Sequence, residues 1–334
     1  MAKTQDFNNI QALTHALELA MKKHENVVVY GEDVGFEGGV FRATIGLQKM
    51  FGEKRCFDAP IAEATLVGTA VGMALNGMTP IVEMQFEGFS YPALQQIFTH
   101  VSRMRNRSRG RFTCPLIIRM TMGGGIRALE HHSEALEAMF SHVPGLKVVI
   151  PSTPHDTKGL LLAAVESEDP VIFLEPTKIY RAFKQPVVEE YFTEEIGKAL
   201  VVKEGTQLSI VTYGTQVWET QKAVANMEAR GELAKDAVEI IDLRTIQPWD
   251  RECVINSVKK TGRLMVIHEA VKSFSVSAEI ITTVNEKCFE YMQAPPMRVT
   301  GYDITIPFER GEHFHNPSVE KIEYKIKQMM NYEV

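Results

Sequence analysis

Short apolar runs alternate with longer stretches of helical periodicity along almost the whole chain, and nothing else in the sequence restricts the fold so tightly. "NVVVYGEDVG", "TPIVEMQFEG", "CPLIIRMTMGGG", "LKVVIPSTP" and "PVIFLEP" read as buried strands, each ending in Gly, Pro or polar residues. Between them, "IQALTHALELAMKKH", "EATLVGTAVGMALNG", "YPALQQIFTHVSRMRN" and "PHDTKGLLLAAVESED" read as helices, the last with Thr and Asp cap candidates. Strands that are apolar throughout suit a parallel sheet covered by helices on both faces. The expected fold class is therefore α/β.

The rhythm breaks between about Tyr180 and Glu204, then resumes. "QLSIVTYGTQ", "AVEIIDLRTIQP", "RLMVIHEAV" and "MRVTGYDIT" form a second strand series, with helices expected around Gln216–Glu228, Asp250–Lys259, Ser277–Tyr291 and Ser318–Met330. This predicts one α/β domain over 1–185, a connection over 186–200 and a second α/β domain over 201–334. The length of 334 residues suits two domains of ~150 residues each. A net charge of −6 argues against nucleic acid or an anionic membrane as the main partner. No run approaches the ~18 apolar residues of a membrane span, and no secretory leader is evident at the N-terminus. Cys56, Cys114, Cys253 and Cys288 lie far apart without a CxxC pair, which points to a reducing, cytoplasmic setting.

One acid stands in the small and apolar run "DAPIAEATLVGTAVGMALNG". Glu63 is either a first-turn residue favoured by the helix dipole, or a desolvated carboxyl with a raised pKa and a chemical task. Gly68 and Gly72, four apart with Ala64 and Ala74 nearby, give that helix a face of small residues suited to close packing. "GGGIRALEHHS" lacks the spacing of a dinucleotide or P-loop motif and reads as a flexible loop leaving a strand end. It nevertheless delivers His131 and His132 to the edge of the sheet where α/β proteins bind ligands. "GEHFH", if extended, would put His313 and His315 on one face; "RMRNRSRGR" reads as a solvated helix end.

Taken together, "YGEDVGFEGGVFRATIGLQKMFG", "DAPIAEATLVGTAVGMAL", "IVEMQFEGF", "ALEHHSE", "PGLKVVIPSTPHDTKGLLLAAVESEDPVIFLEP", "IDLRTIQPWD" and "KTGRLMVIHEA" resemble the β subunit of thiamine-dependent 2-oxoacid dehydrogenases, nearest the pyruvate branch. The likeness runs through nearly the whole chain in order. It implies a transketolase-like pyrimidine-binding thiamine diphosphate domain followed by a transketolase C-terminal-like domain. It also implies an α2β2 assembly in which the α subunit supplies a Gly-Asp-Gly motif for Mg²⁺ and the diphosphate. That motif is missing here, as half a site requires.

By the same resemblance, Glu63 matches the acid that hydrogen-bonds the aminopyrimidine ring. Ile61, Gln85 and Phe89 match residues lining that pocket. His132 matches a histidine implicated in acyl transfer to the lipoyl group; His131 before it and Glu134 after Ser133 depart from the usual pattern. Some members hold K⁺ through main-chain carbonyls, at positions matching Leu116, Ala164, Val165, Ser167 and Asp169. The activity implied is oxidative decarboxylation of pyruvate with transfer of the acetyl unit to the lipoyl domain of an acyltransferase core. The alternatives are a branched-chain 2-oxoacid or acetoin dehydrogenase β subunit, or a non-catalytic scaffold of the same fold.

Overall fold

The computed structural model describes residues 3–332. Seven strands form the first sheet, in the order Thr245–Gln247, Lys147–Val149, Val171–Pro176, Ile117–Met122, Thr79–Met84, Val27–Gly31, Cys56–Asp58. All neighbours run parallel except Thr245–Gln247, which is antiparallel to Lys147–Val149. Every residue of Val27–Gly31, Thr79–Met84, Ile117–Met122 and Val171–Pro176 is buried, as expected for strands covered on both faces. The second sheet runs Met297–Val299, Leu264–Ile267, Leu208–Thr212, Val238–Asp242, Leu200–Lys203, with only the last strand antiparallel. Thr4–Phe7 pairs antiparallel with Gln185–Val188.

Helix Asn9–Lys23 begins at a reciprocal cap between Asn8 and Gln11 and packs on Pro154–Val165, whose Thr153 side chain accepts from Asp156 N. These helices cover one face of the first sheet with Leu13, Leu17, Leu160 and Leu162. The other face carries Tyr30, Val82, Met84 and Ile118 in a core that continues without a break into Val211, Tyr213, Ile241 and Val266 of the second sheet. The two sheets therefore share apolar packing. At the middle of the first sheet the wholly buried Arg119 pairs with Glu83 at 2.8 Å and Glu175 at 2.7 Å, and Tyr180 donates to Glu175. Both carboxylates and the guanidinium thus have partners, without which such burial would be costly.

Several expectations need correction. "AVEIIDLRTIQP" is two strands, and the second, Thr245–Gln247, joins the first sheet. The stretch read as one helix from Tyr91 is a 3-10 segment over Glu87–Ala93, then a short α-turn, then a π-turn over Ile97–Val101. Pro92 contributes no N–H, and the Thr99 and Ser102 hydroxyls bond back to the carbonyls of Gln95 and Phe98, loosening the ladder. "GEHFH" lies in helix Glu309–His315, with His315 buried and His313 exposed.

Candidate functional site

Val27–Gly31 and Thr79–Met84 lie side by side, but the chain leaves them in opposite directions, toward Cys56–Asp58 and toward Ile117–Met122. Connections that diverge in this way open a crevice at the carboxyl ends of the strands, the usual ligand position in an open α/β sheet. Glu32 and Asp33 follow one strand. Gln85 and Phe86 follow the other, and Gln85 Nε2 donates to Asp33 Oδ2 at 3.4 Å. Thr121 Oγ1 fixes the Gln85 carbonyl at 2.8 Å.

Glu63 is the first residue of helix Glu63–Leu75, where the dipole favours an acid. Ala62 brings no side-chain cap, although its carbonyl accepts from Thr65 N and Leu66 N. In the single chain Glu63 is half-buried rather than sealed, because the helix turns Leu66, Val67, Ala70, Val71 and Ala74 inward and leaves its first turn at the rim. Among the described residues its carboxylate has neither a hydrogen bond nor an ion pair. Glu32, by contrast, is buried, and its Oε1 has no partner among the described residues. Burial, and then the negative charges of Glu63 and Asp33, hold its carboxyl above the usual range.

The His132 ring meets Phe86 edge-on at 4.4 Å and Phe89 at 5.3 Å between centroids, and its buried Nδ1 has no partner among the described residues. His131 is exposed and faces the Glu130 carboxylate at 3.3 Å. The structure thus joins Phe89 to His132, and Gln85 lies beside Phe86 in the chain. Ile61 is 82% exposed. Phe36, 85% exposed, stands on the same rim, its N–H donating to Asp58 Oδ2. The expected carbonyl set of Leu116, Ala164, Val165, Ser167 and Asp169 lies at the amino ends of Ile117–Met122 and Val171–Pro176, across the sheet from the crevice.

Sequence reasoning passed over Glu32, although an acid following a buried strand in "YGEDVG" was the available signal. It also missed Glu269 and Glu312, which come from the second half of the chain to the glycines preceding His132. A cavity of about 590 Å³ opens beside this contact, lined by Ser133, Glu134, Glu269, Phe274, Asp303 and His315 among others.

Residues 5–182 match the transketolase pyrimidine binding domain family, and residues 197–322 match the transketolase C-terminal domain family. The chain is 58% identical to the pyruvate dehydrogenase E1 component subunit beta of Mycoplasma pneumoniae, covering 94% of this chain and 95% of the relative. It is 58% identical to that of Acholeplasma laidlawii (96% and 97% covered) and 46% identical to that of Bacillus subtilis (97% and 98%). Among solved structures, a split-gene transketolase described as an inactive β4 tetramer superposes with a TM-score of 0.75 at 20% identity, over 97% of this chain and 98% of that one.

Proposed function

Because the chain belongs to the β subunits of the pyruvate dehydrogenase E1 component, we propose that Glu63, Ile61, Gln85 and Phe89 form its half of a thiamine diphosphate site, with His132 serving acyl transfer. The two matched domains are those of thiamine-diphosphate-dependent enzymes. One observation carries the reading: an unpartnered Glu63 carboxylate at the strand-end crevice, backed by a buried acid that is itself unsatisfied. Such a group suits a ring nitrogen with which it can share a proton. When bound, thiamine diphosphate supplies the electron sink for decarboxylation of pyruvate.

Glu63 would hold the proton at the aminopyrimidine nitrogen, within hydrogen-bond reach of the ring. Phe89 and Ile61 offer apolar faces to a flat ring. His132, its ring fixed by two aromatics, would deliver a proton to the lipoyl sulfur as the acetyl group transfers. The exposure of Ile61 and Phe36 at the rim is what a second polypeptide would cover. In this proposal the α subunit of an α2β2 assembly closes the site and holds Mg²⁺ and the diphosphate, and a lipoyl domain of the acyltransferase core receives the product. The division at 1–185, 186–200 and 201–334 and a cytoplasmic location belong to the same reading; all four cysteines are free, which supports the latter. The names of the relatives favour pyruvate over branched-chain 2-oxoacids or acetoin, and an intact crevice disfavours a bare scaffold.

Potassium fits less well. The Leu116, Ala164 and Asp169 carbonyls already accept from Val171 N, Ser167 N and Ser167 Oγ, and Lys147 Nζ stands 2.8 Å from Ser167 Oγ. An ion held there, as the resemblance implies, would brace the amino end of the sheet beside a fixed positive charge. No catalytic step passes through it.

Glu63→Gln and Glu63→Asp test the main reading. Gln has no exchangeable acid proton and Asp is a methylene too short. Both should still assemble with the α chain yet lose about 100-fold or more in pyruvate decarboxylation. A Glu63→Gln enzyme decarboxylating at the wild-type rate would overturn the assignment.

A further inference from the structure

The glycine run before the two histidines looks like a device for flexibility, but its surroundings say otherwise. Gly123 N donates to the Glu134 carbonyl at 2.8 Å, closing the base of the loop that carries His131 and His132. Gly124 N donates to Glu269 Oε2 at 3.0 Å, and Gly125 N donates to the Glu312 carboxylate. A Cβ at Gly123 would stand 2.6 Å from Glu269 Oε2; at Gly124, 2.6 Å from both Glu312 Oε1 and Asn316 Nδ2; at Gly125, 2.5 Å from the Lys178 side chain. Gly123 and Gly125 also have φ of +79° and +93°, which glycine adopts at little cost. Gly123 and Gly124 thus provide clearance for two carboxylates of the second domain, and Gly125 provides clearance for Lys178 of the first. On the opposite side, a Cβ at Gly88 would stand 2.3 Å from the His131 carbonyl, so the loop is wedged between the domains.

We infer that the C-terminal domain sets the position of the histidine loop: Glu269 and Glu312 are positioning residues that grip Gly124 and Gly125 and so hold His132 where the lipoyl group is acylated. The inference rests on the role proposed above for His132. A carboxyl oxygen accepts a main-chain N–H bond whether or not the acid is ionised, and ionisation strengthens the bond. Two successive bonds of this kind, from different elements of the second domain, fix both the height and the tilt of the loop. Arg127 adds an exposed contact with Glu309 at 3.5 Å, which contributes little.

The experiment uses the assembled α2β2 holoenzyme with three readouts: decarboxylation with an artificial electron acceptor, reductive acetylation of a lipoyl domain, and deuterium uptake over residues 123–132. Glu269→Ala and Glu312→Ala should each speed that uptake about 10-fold. They should lower acetylation about 10-fold or more, as expected for a misplaced catalytic group, and change acceptor-linked decarboxylation less than about 2-fold. Glu269→Gln and Glu312→Gln retain a carbonyl acceptor and should recover most of the loss. Gly124→Ala approaches from the other side, with both acids intact, and should reproduce the alanine phenotype. Unchanged uptake in the alanine variants would overturn the inference, as would equal loss of both half-reactions with no rescue by Gln. If His132→Ala left acetylation intact, the role of the histidine would fail, while uptake over 123–132 would still decide the grip.

Discussion

His132 is held by its ring edges rather than by its nitrogens. Phe86 and Phe89 fix the plane of the imidazole, and Nδ1 has no partner among the described residues to lock the tautomer. A histidine held in this way is fixed in place while Nδ1 stays open to a reacting partner, which suits a proton-transfer role. His131, exposed and facing Glu130, has no such setting. His132→Ala should therefore leave decarboxylation with an artificial acceptor within about 2-fold of wild type and reduce lipoyl acetylation about 100-fold, and His131→Ala should spare both. Equal loss of both half-reactions in His132→Ala would refute the division.

Glu63 depends on its helix, and the helix depends on one buried phenol. Tyr30 stacks on Phe57 at 5.0 Å and donates through its hydroxyl to the Leu66 carbonyl at 2.7 Å, tying the first turn of Glu63–Leu75 to strand Val27–Gly31. Tyr30→Phe keeps the stacking and loses the bond. The expected cost is about 1 kcal/mol, a fall of roughly 2–4 °C in melting temperature, with a raised cofactor requirement because Glu63 is less firmly placed. An unchanged cofactor requirement would separate the tether from the site. Elements of this kind were legible in the sequence because their signals are local. Uniformly apolar strands announced a sheet buried on both sides, and Thr153 announced its helix. The face of small residues on Glu63–Leu75 was visible too, although within this chain a Cβ at Gly72 would meet nothing and one at Gly68 would touch only Gln96. What escaped was non-local. The pairing of Thr245–Gln247 with Lys147–Val149, and the reach of Glu269 and Glu312 to the glycines, depend on how the two sheets dock. The π-turn near Ile97 depends on hydroxyls competing with the helical ladder, and periodicity does not report that competition.

At the scale of the whole molecule, the junction between the sheets combines apolar packing with buried acids. Tyr213 of the second sheet donates to Glu137 at 2.6 Å, and Arg244 pairs with Asp156 at 3.0 Å and Glu194 at 3.1 Å. Asp242 accepts from Ser152 and from Arg244 N. Burial, and then the charge of Asp156, push Asp242 up to about 7, and burial pushes Glu269 to about 7 as well. The folded chain thus keeps protons that the unfolded chain releases near pH 4. For these groups the stabilisation is complete below the unfolded pKa and is lost as pH rises through the folded one. Buried His268 works in the opposite sense: its pKa is lowered to about 3, so the unfolded chain takes up the extra proton and stability is gained as pH rises toward the ordinary histidine range. Total stability therefore mixes both signs, and a single-site comparison isolates one. Asn at position 242 imitates the protonated acid at every pH. Asp242→Asn should match wild type in melting temperature near pH 4, where Asp242 is protonated when folded, and exceed it increasingly from pH 5 to 8, by roughly several degrees at the upper end. Because Ser152 lies on the first domain and Asp242 on the second, the same variant should hold the junction closed at alkaline pH. Deuterium uptake across 150–156 and 242–246 would then lag behind wild type at pH 8, whereas a pH-independent difference in melting temperature would mean that the acid is ionised in the folded protein throughout.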